Sequence, residues 1–237
     1  MRKILAIATI LLACFAIGYL GSKHLTVTVR AAASVKAPAF TAWQTTTDRT
    51  GHILEQRITA QRSDGSLATV HTNPDFPASG NVRTIEWIAG GRETLFDAVS
   101  AKLTGRVTQQ EVAGRKYLLE HAPASCVLNG EKAGNEPPRT VEGLTAYQVE
   151  SGPWTFWRAP ALGCFPIAVT LASTGATVSL TKLEIGEPDA VYFDPGDSFK
   201  SVKPSELPTL FDPNSKPSAS ISEKLSKADA AWQQRQP

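Results

Sequence analysis

The sequence predicts a mainly β fold of the α+β type: a curved antiparallel sheet or half-open barrel with few covering helices, after an N-terminal hydrophobic segment. Segments in which polar and apolar residues alternate recur about every 10–15 residues, as in an antiparallel meander. Turn sequences rich in Gly, Asp and Pro separate these segments. A long uncharged run stands at the N-terminus.

The N-terminal segment has the features of an export signal. Arg2 and Lys3 precede an uncharged stretch over residues 4–22, and basic residues before an apolar run stay on the cytoplasmic side. The apolar part approaches the length of about 17–25 residues that spans a bilayer. Residues 1–22 are therefore predicted to be either a signal peptide, cleaved after Gly18 or near residues 31–33, or a retained membrane anchor.

Cys14 allows a third outcome, which is lipidation. Leu11-Leu12-Ala13-Cys14 resembles a lipobox, although Leu12 is bulky for that motif and the apolar run continues after Cys14. The rest of the chain is in each case predicted to lie on the periplasmic side of the inner membrane, either anchored or released.

Composition divides the remaining chain into three predicted regions. Residues 23–50 are rich in Ser, Thr and Ala and are predicted to be a linker or a loosely packed lead-in segment. Residues 51–207 are predicted to be the β-rich globular domain, and residues 208–237 a polar tail. A short helix in the tail is predicted from apolar residues at helical spacing, namely Ile221, Leu225, Ala228 and Trp232.

The first half of the predicted sheet is a meander. A hairpin joins strands over residues 53–60 and 67–72, because Gly65 can adopt the positive φ that an Asp-Gly turn requires. A third strand follows over residues 83–88, and the turn at Gly90-Gly91 leads into a fourth over residues 93–99.

The second half is less regular at its start. Residues 111–120 are predicted to be either a strand or a short helix. Strands are then predicted over residues 140–150, 154–158, 163–171 and 177–185. A bulge is expected near Thr181, and residues 191–193 are predicted to form a short helical turn or an edge contact.

Cys126 and Cys164 form an even pair in a chain that is predicted to be exported, which indicates a disulfide bond. In the chain-entropy model, this bond is worth roughly 3–4 kcal/mol. Free thiols and a metal site are the alternatives. A metal site requires more ligands, and His121 is the only histidine close in sequence.

Several function classes are disfavoured by charge and motif. The net charge is +2 with both signs mixed along the chain, so no basic block indicates nucleic-acid binding. No Gly-x-Ser-x-Gly nucleophile turn is present. We therefore expect no enzymatic activity, no cofactor and no metal.

Two further motifs each have a functional and a structural interpretation. His71 and Asp75 are the best acid–base pair by sequence, but a polar strand end beside a turn explains them better. Gly90-Gly91-Arg92 has glycines suited to a phosphate loop, but strands are predicted on both sides, so a hairpin turn is favoured.

The aromatic residues of the predicted 154–158 strand are the feature most open to a functional interpretation. On a strand, Trp154 and Phe156 share one face and Trp157 lies on the other. One face must be core, and the other is covered by a helix, forms a ligand groove or is exposed. Together with Phe165, these residues are candidates for lining or closing an apolar ligand cavity.

The C-terminal half resembles exported bacterial proteins with a LolA-like or RseB-like lipoprotein-carrier fold. The resemblance covers about residues 50–206 and rests on turn and strand-end sequences, namely RAPALGCFPI at 158–167, GEPD at 186–189, YFDP at 192–195 and KPSE at 203–206. It implies a half-open barrel with helices on its concave face and a cavity for acyl chains or a hydrophobic peptide. A covering helix is expected over residues 94–103 or 108–119.

Two functional hypotheses follow. The first is a non-enzymatic cell-envelope protein that binds a lipid, an acyl chain or another apolar ligand in the concave face of the sheet, since apolar burial alone can supply affinity. The alternative is a membrane-tethered structural or protein-interaction module with no small-molecule ligand, whose partner is another envelope protein.

Overall fold

The computed structural model describes residues 36–75, 80–212, 223–224, 226–228 and 230. They form one mixed, mainly antiparallel sheet of 13 strands with two free ends and few helices, which confirms the predicted mainly β class. The strands are β1 Phe40–Thr47, β2 Ile53–Gln61, β3 Leu67–Thr72, β4 Asn81–Glu86, β5 Gly91–Phe96, β6 Ala101–Arg106, β7 Lys132–Ala133, β8 Arg139–Val141, β9 Leu144–Ser151, β10 Trp154–Ala159, β11 Phe165–Leu171, β12 Thr177–Ile185 and β13 Lys200–Ser201. The helices are α1 Gln109–His121 and α2 Leu207–Phe211.

The sheet consists of two antiparallel meanders on either side of β1. Strands β2 to β6 lead from β1 to one edge, and strands β9 to β12 lead from the other edge back to β1. The central strand therefore pairs with both β2 and β12, which are far apart in sequence. Within the pairing of β1 with β12, Trp43 lies opposite Lys182 and Gln44 opposite Leu180, which confirms the bulge predicted near Thr181.

The position of β1 corrects the prediction for residues 23–50. This region was expected to be a linker, but its described part contains the central strand of the sheet. Phe40 and Ala42 are fully buried, and both belong to the cluster that also holds Trp157 and Ile167. The strand was not predicted because β1 has few large apolar residues, and these lie among Thr and Ala, which resemble the composition of a linker. The other domain boundaries stay predictions.

Helix α1 joins the two meanders and resolves the ambiguity over residues 111–120 in favour of a helix. Its start is held by a capping box, in which the Thr108 hydroxyl accepts from the Glu111 amide and the Glu111 carboxylate accepts from the Thr108 amide. The alternative covering helix over residues 94–103 was wrong, because that segment forms the end of β5, a short 3-10 turn and the start of β6.

Two other predicted elements differ from the structure. The strand predicted over residues 140–150 is a hairpin of β8 and β9, since Glu142 and Gly143 both have positive φ and turn the chain. The segment around residues 191–193 is the predicted helical turn, a 3-10 helix over Ala190–Phe193.

The chain after β12 returns across the first meander and then passes around its edge. Phe193 packs with Ala60 and Ile85, while β13 adds to the edge strand β6 in parallel. Leu207 of α2 then packs with Val82. Because Val82 and Ile85 are three residues apart on β4, their side chains project from opposite faces. The closing segment therefore packs on both faces of the sheet.

The predicted disulfide between Cys126 and Cys164 is present. It ties the loop after α1 to the start of β11. Beside it, Arg158 donates two hydrogen bonds to Glu131, at 2.7 and 2.8 Å, and a third to the carbonyl of Cys126 at 3.2 Å. The Arg158 and Glu131 side chains are each only 11% exposed, so this bidentate pair orders the loop from within.

Some predictions fall outside the described residues. These are the signal or anchor segment 1–22 with Cys14, and Ile221, Leu225 and Trp232 of the predicted tail helix. Residues 223–224, 226–228 and 230 of the tail are helical, and Lys227 contacts Glu223 one turn away at 2.7 Å. Among the residues described, no helix is long and apolar enough to cross a membrane.

Candidate groove at the end of strands β4 to β6

The turn between β4 and β5 places an indole ring at the end of the sheet. The Gly90 amide donates to the Trp87 carbonyl at 2.9 Å, and Gly90 has a φ of 101°, which favours glycine. A Cβ atom at Gly91 would lie 3.3 Å from the Trp87 ring. The two glycines thus form a tight turn and let the Trp87 side chain lie directly against the strand.

The start of α1 is fixed beside this turn by contacts from two directions. The Val107 amide donates to the Gly90 carbonyl at 2.7 Å. Nearly two turns into the helix, Arg115 forms an ion pair with Glu86, the last residue of β4. Its guanidinium also donates to the Gly65 carbonyl at 3.4 Å. The helix therefore cannot shift along the sheet end without breaking a buried ion pair.

A groove with a volume of about 640 Å³ lies between the turn, the end of β6 and the first turns of α1. This volume falls within the range of about 300–1,000 Å³ that is usual for small-molecule sites. Apolar side chains supply much of its wall, and its lining includes Trp87, Ile88, Val107, Val112 and Ala113. The groove can therefore hold an apolar group.

The charged residues of the groove fall into paired and unpaired sets. Arg92 forms an ion pair with Glu86, and Glu93 lies 3.6 Å from Lys102. Arg92 Nε and Glu93 Oε2 are nevertheless buried without a hydrogen-bond partner in the described part of the chain. Arg106 and Lys116 complete the lining and are both exposed.

The predicted aromatic residues do not line this groove and do not form one site. Trp154 and Phe156 lie together on one face, with ring centroids 6.4 Å apart. Trp157 is on the other face, buried beneath Arg139 at 3.8 Å from its ring. Phe165 packs against Phe40 at a centroid distance of 5.0 Å. The role of all four in ligand binding stays a prediction.

The face that carries Trp154 and Phe156 continues across the neighbouring strands. Phe156 lies opposite Val169 of β11, and Val169 lies opposite Val178 of β12. Trp154 is paired in the same way with Leu171. All five side chains are half-buried, and none is a member of the three hydrophobic clusters. They form an apolar patch, which we term the β10–β12 patch.

His71 and Asp75, the best acid–base candidates by sequence, have different partners in the structure, which agrees with the favoured interpretation of a polar strand end beside a turn. His71 contacts Glu55 across the β2–β3 pair, and Asp75 instead contacts His52 at 2.9 Å. The hydrogen bond and the charge of Asp75 raise the pKa of His52. Both histidines thus have carboxylate partners, and the sequence could not choose between partners that different turns bring together.

Glu55 is the most strongly perturbed carboxylate in this region. Burial raises its pKa, but the hydrogen bond from His71 and the nearby charges of Arg57 and His71 outweigh burial and lower the pKa to about 2. Thr46 also donates to it at 3.3 Å. The carboxylate of Glu55 is thus held by Thr46, Arg57 and His71, so the arrangement resembles a structural ion cluster.

No metal site is visible at these histidines. Across residues 36–75, 80–212 and the described tail positions, no group of three or more His, Cys, Asp or Glu side chains is arranged to hold a metal ion.

Comparisons with known proteins give a coarse likeness of fold. No family model matches this chain, and no curated protein does. Among solved structures, PNGF-II is similar at 11% identity and a TM-score of 0.41, over 80% of this chain and 32% of that chain. MucB in complex with MucA(peri) is similar at 12% identity and a TM-score of 0.39, over 70% of this chain and 57% of that chain. The Pseudomonas aeruginosa MucA/MucB complex is similar at 13% identity and a TM-score of 0.41, over 71% of this chain and 59% of that chain.

This chain therefore spans about a third of the PNGF-II chain and less than two thirds of the two MucB-containing matches. Similarity at this level concerns the fold only and carries no argument about function. The predicted resemblance to LolA-like and RseB-like domains is therefore supported only as a coarse likeness of fold.

Sequence analysis missed Trp87 and the groove beside it. Gly90-Gly91-Arg92 was interpreted as a hairpin turn, which the structure confirms. The same turn also forms one wall of the groove. The groove could not be predicted from this turn alone, because its opposite wall comes from α1. The sequence had left that segment as either a strand or a helix.

Proposed function

We propose that this chain is an exported, non-enzymatic cell-envelope protein that binds an apolar ligand, such as an acyl chain, in the groove beside α1. The observation that carries the proposal is a groove of about 640 Å³ with Trp87, Val107 and Val112 in its wall. Burying apolar surface there contributes about 25 cal/mol per Å², so an alkyl chain binds without a dedicated polar site.

The proposed compartment is the periplasmic side of the inner membrane. A disulfide between Cys126 and Cys164 supports an oxidising environment, and the basic and apolar N-terminal segment supports export. The groove lies at the end of β4 to β6 and not on the Trp154 face, so the proposed site differs from the aromatic residues selected by sequence.

Filling the groove tests the proposal directly. Ala113 lines it and is exposed on α1, so Ala113→Trp occupies the space without disturbing a core contact. Gln110→Trp is the matched control, because Gln110 is exposed on the same helix but does not line the groove. The full chain, produced with export into an oxidising compartment, is titrated with radiolabelled dodecanoate by equilibrium dialysis.

We expect Ala113→Trp to weaken binding tenfold or more, and Gln110→Trp to bind like the unmodified chain. Equal affinity of all three proteins would place the ligand elsewhere and overturn the groove as the site. An absence of binding by the unmodified chain would overturn the proposed function itself.

The β10–β12 patch favours a second candidate function, the tethered protein-interaction module. Its five side chains are apolar and uncharged, so the partner it fits is an apolar segment of another envelope protein. Val169 lies between Phe156 and Val178, so Val169→Glu places a charge in the centre of the patch and should abolish such a contact. A photoreactive residue at position 154 should then crosslink to one defined protein in cells, and Val169→Glu should remove that product.

A further inference from the structure

The unpaired charges at the groove are of one sign. Arg106 and Lys116 line it, and neither forms an ion pair or hydrogen bond with another described residue. Glu120 stands four residues after Lys116 on α1 and has an interaction of its own. Two exposed cations therefore border the apolar wall, and neither has an ion-pair partner among the described residues.

The acidic residues nearby are already engaged. Glu86 accepts from two arginines, Arg92 and Arg115, so its single negative charge is over-compensated. Glu93 is matched by Lys102, and the Glu111 carboxylate caps the start of α1 through Thr108. The local balance is therefore positive, although the whole chain carries a net charge of only +2.

We infer that the ligand is a single-chain amphiphile with an anionic head, which contacts Arg106 and Lys116 while its alkyl chain lies against Trp87, Val107 and Val112. The inference rests on the proposed function and adds the class of ligand. Both cations are exposed, so meeting an anion at this rim costs little desolvation. Their aliphatic stems extend the apolar surface that the alkyl chain contacts.

The test compares three ligands that share a twelve-carbon chain. Dodecanoate carries a carboxylate like a fatty acid, dodecyl phosphate carries a phosphate like a phospholipid head, and dodecanol is neutral. Each is titrated below its micelle concentration against the full chain and against Arg106→Gln, Lys116→Gln and the double variant. Lys132→Gln is the control, because Lys132 is exposed on β7 and does not line the groove.

We expect each single variant to weaken binding of the anionic ligands about two- to fivefold, the range of an exposed ion pair. The double variant should lose roughly tenfold, while dodecanol binding and the Lys132→Gln control stay unchanged. Raising the salt concentration from 0.05 to 0.5 M should weaken dodecanoate binding to the unmodified chain and leave dodecanol unaffected. A larger effect on dodecyl phosphate than on dodecanoate would identify a phosphate head.

The outcomes separate the inference from the proposed function. If dodecanol binds as tightly as the anionic ligands, the groove binds alkyl chains and the inference about the head is overturned. If the anionic ligands bind better but the variants do not reduce this preference, the head lies elsewhere and the inference again fails. If no ligand binds, the proposed function fails with it. Unfolding midpoints within experimental error exclude misfolding as the cause.

Discussion

At the residue scale, the described structure concentrates its ion pairs in a few partly buried clusters. Glu86 is 7% exposed and is held by Arg92 and Arg115. Glu55 is held by Arg57 and His71. Pairs of this kind differ from surface pairs, because removing one partner leaves a poorly hydrated charge without a counter-charge. The Glu55 cluster lies on β2 and β3, and the Glu86 cluster joins β4, β5 and α1 beside the groove.

Replacing Glu86 should destabilise the fold strongly. Glu86→Leu removes the partner of two arginines, and the expected loss of unfolding free energy is about 3–5 kcal/mol. The measurement is the denaturant midpoint of the full chain. Lys227→Ala is the control, because Lys227 and Glu223 are more than half exposed and such a pair contributes less than about 1 kcal/mol. Equal effects of the two changes would contradict a buried role for Glu86.

Glu55 should make stability fall in acid. Its pKa is lowered from 4.5 to about 2 in the folded state, so its contribution is fully present above pH 4.5. That contribution is lost as the pH falls from about 4.5 to about 2, because the unfolded chain binds the proton first. The upper limit is about 3 kcal/mol.

The measurement is the difference in unfolding free energy between the unmodified chain and Glu55→Gln at several pH values. This difference should shrink as the pH falls from 4.5 to 2. A difference that is independent of pH throughout would show that Glu55 titrates normally in the folded chain.

At the element scale, a disulfide bond and an ion pair connect the second meander to the loop after α1. The disulfide joins the loop after α1 to the start of β11, and Arg158 of β10 reaches Glu131 in the same loop. This loop leads from α1 to β7 at the sheet edge.

Removing the disulfide should lower stability by roughly 3–4 kcal/mol. The bond closes a separation of 38 residues, and the chain-entropy model gives this loss for a loop of that length. The test is chemical unfolding of the Cys126→Ser, Cys164→Ser double variant. Unmodified protein treated with a reductant should unfold at the same midpoint as the variant, and a reductant should not change the variant. A variant as stable as the oxidised protein would contradict this role.

At the scale of the whole molecule, β1 holds the two meanders together. It pairs along its length with β2 on one side and β12 on the other. Its residue Phe40 is fully buried and contacts Phe165 of the second meander. Without β1, both meanders would expose an unpaired edge and the core cluster would lose its centre.

A chain that begins at residue 51 should therefore fail to fold. This is the domain start predicted from composition, and it omits β1. A chain that begins at residue 36 keeps every described strand of the sheet and should show a cooperative unfolding transition. Far-ultraviolet circular dichroism and thermal unfolding distinguish the two. Cooperative unfolding of the shorter chain would show that the sheet tolerates the loss of its central strand.

Much of the fold was predictable because its signals are local. Alternation of polar and apolar residues located most strands, and Gly65 and Gly90 marked turns that are present. Strand geometry separated Trp154 and Phe156 from Trp157, and the structure buries Trp157. The cysteine pair was identified from number and compartment alone. None of these inferences required knowledge of which strands are neighbours.

The sequence by itself thus determined the fold class, most strands, their turns and the disulfide. The tertiary structure alone decided that β1 is central, that His71 contacts Glu55, and that α1 stands beside Trp87 to form a groove. The physical reason is that alternation and turn preference act within a few residues. Strand order and the walls of a site arise from contacts between segments that are far apart in the chain, where many pairings satisfy the same local pattern.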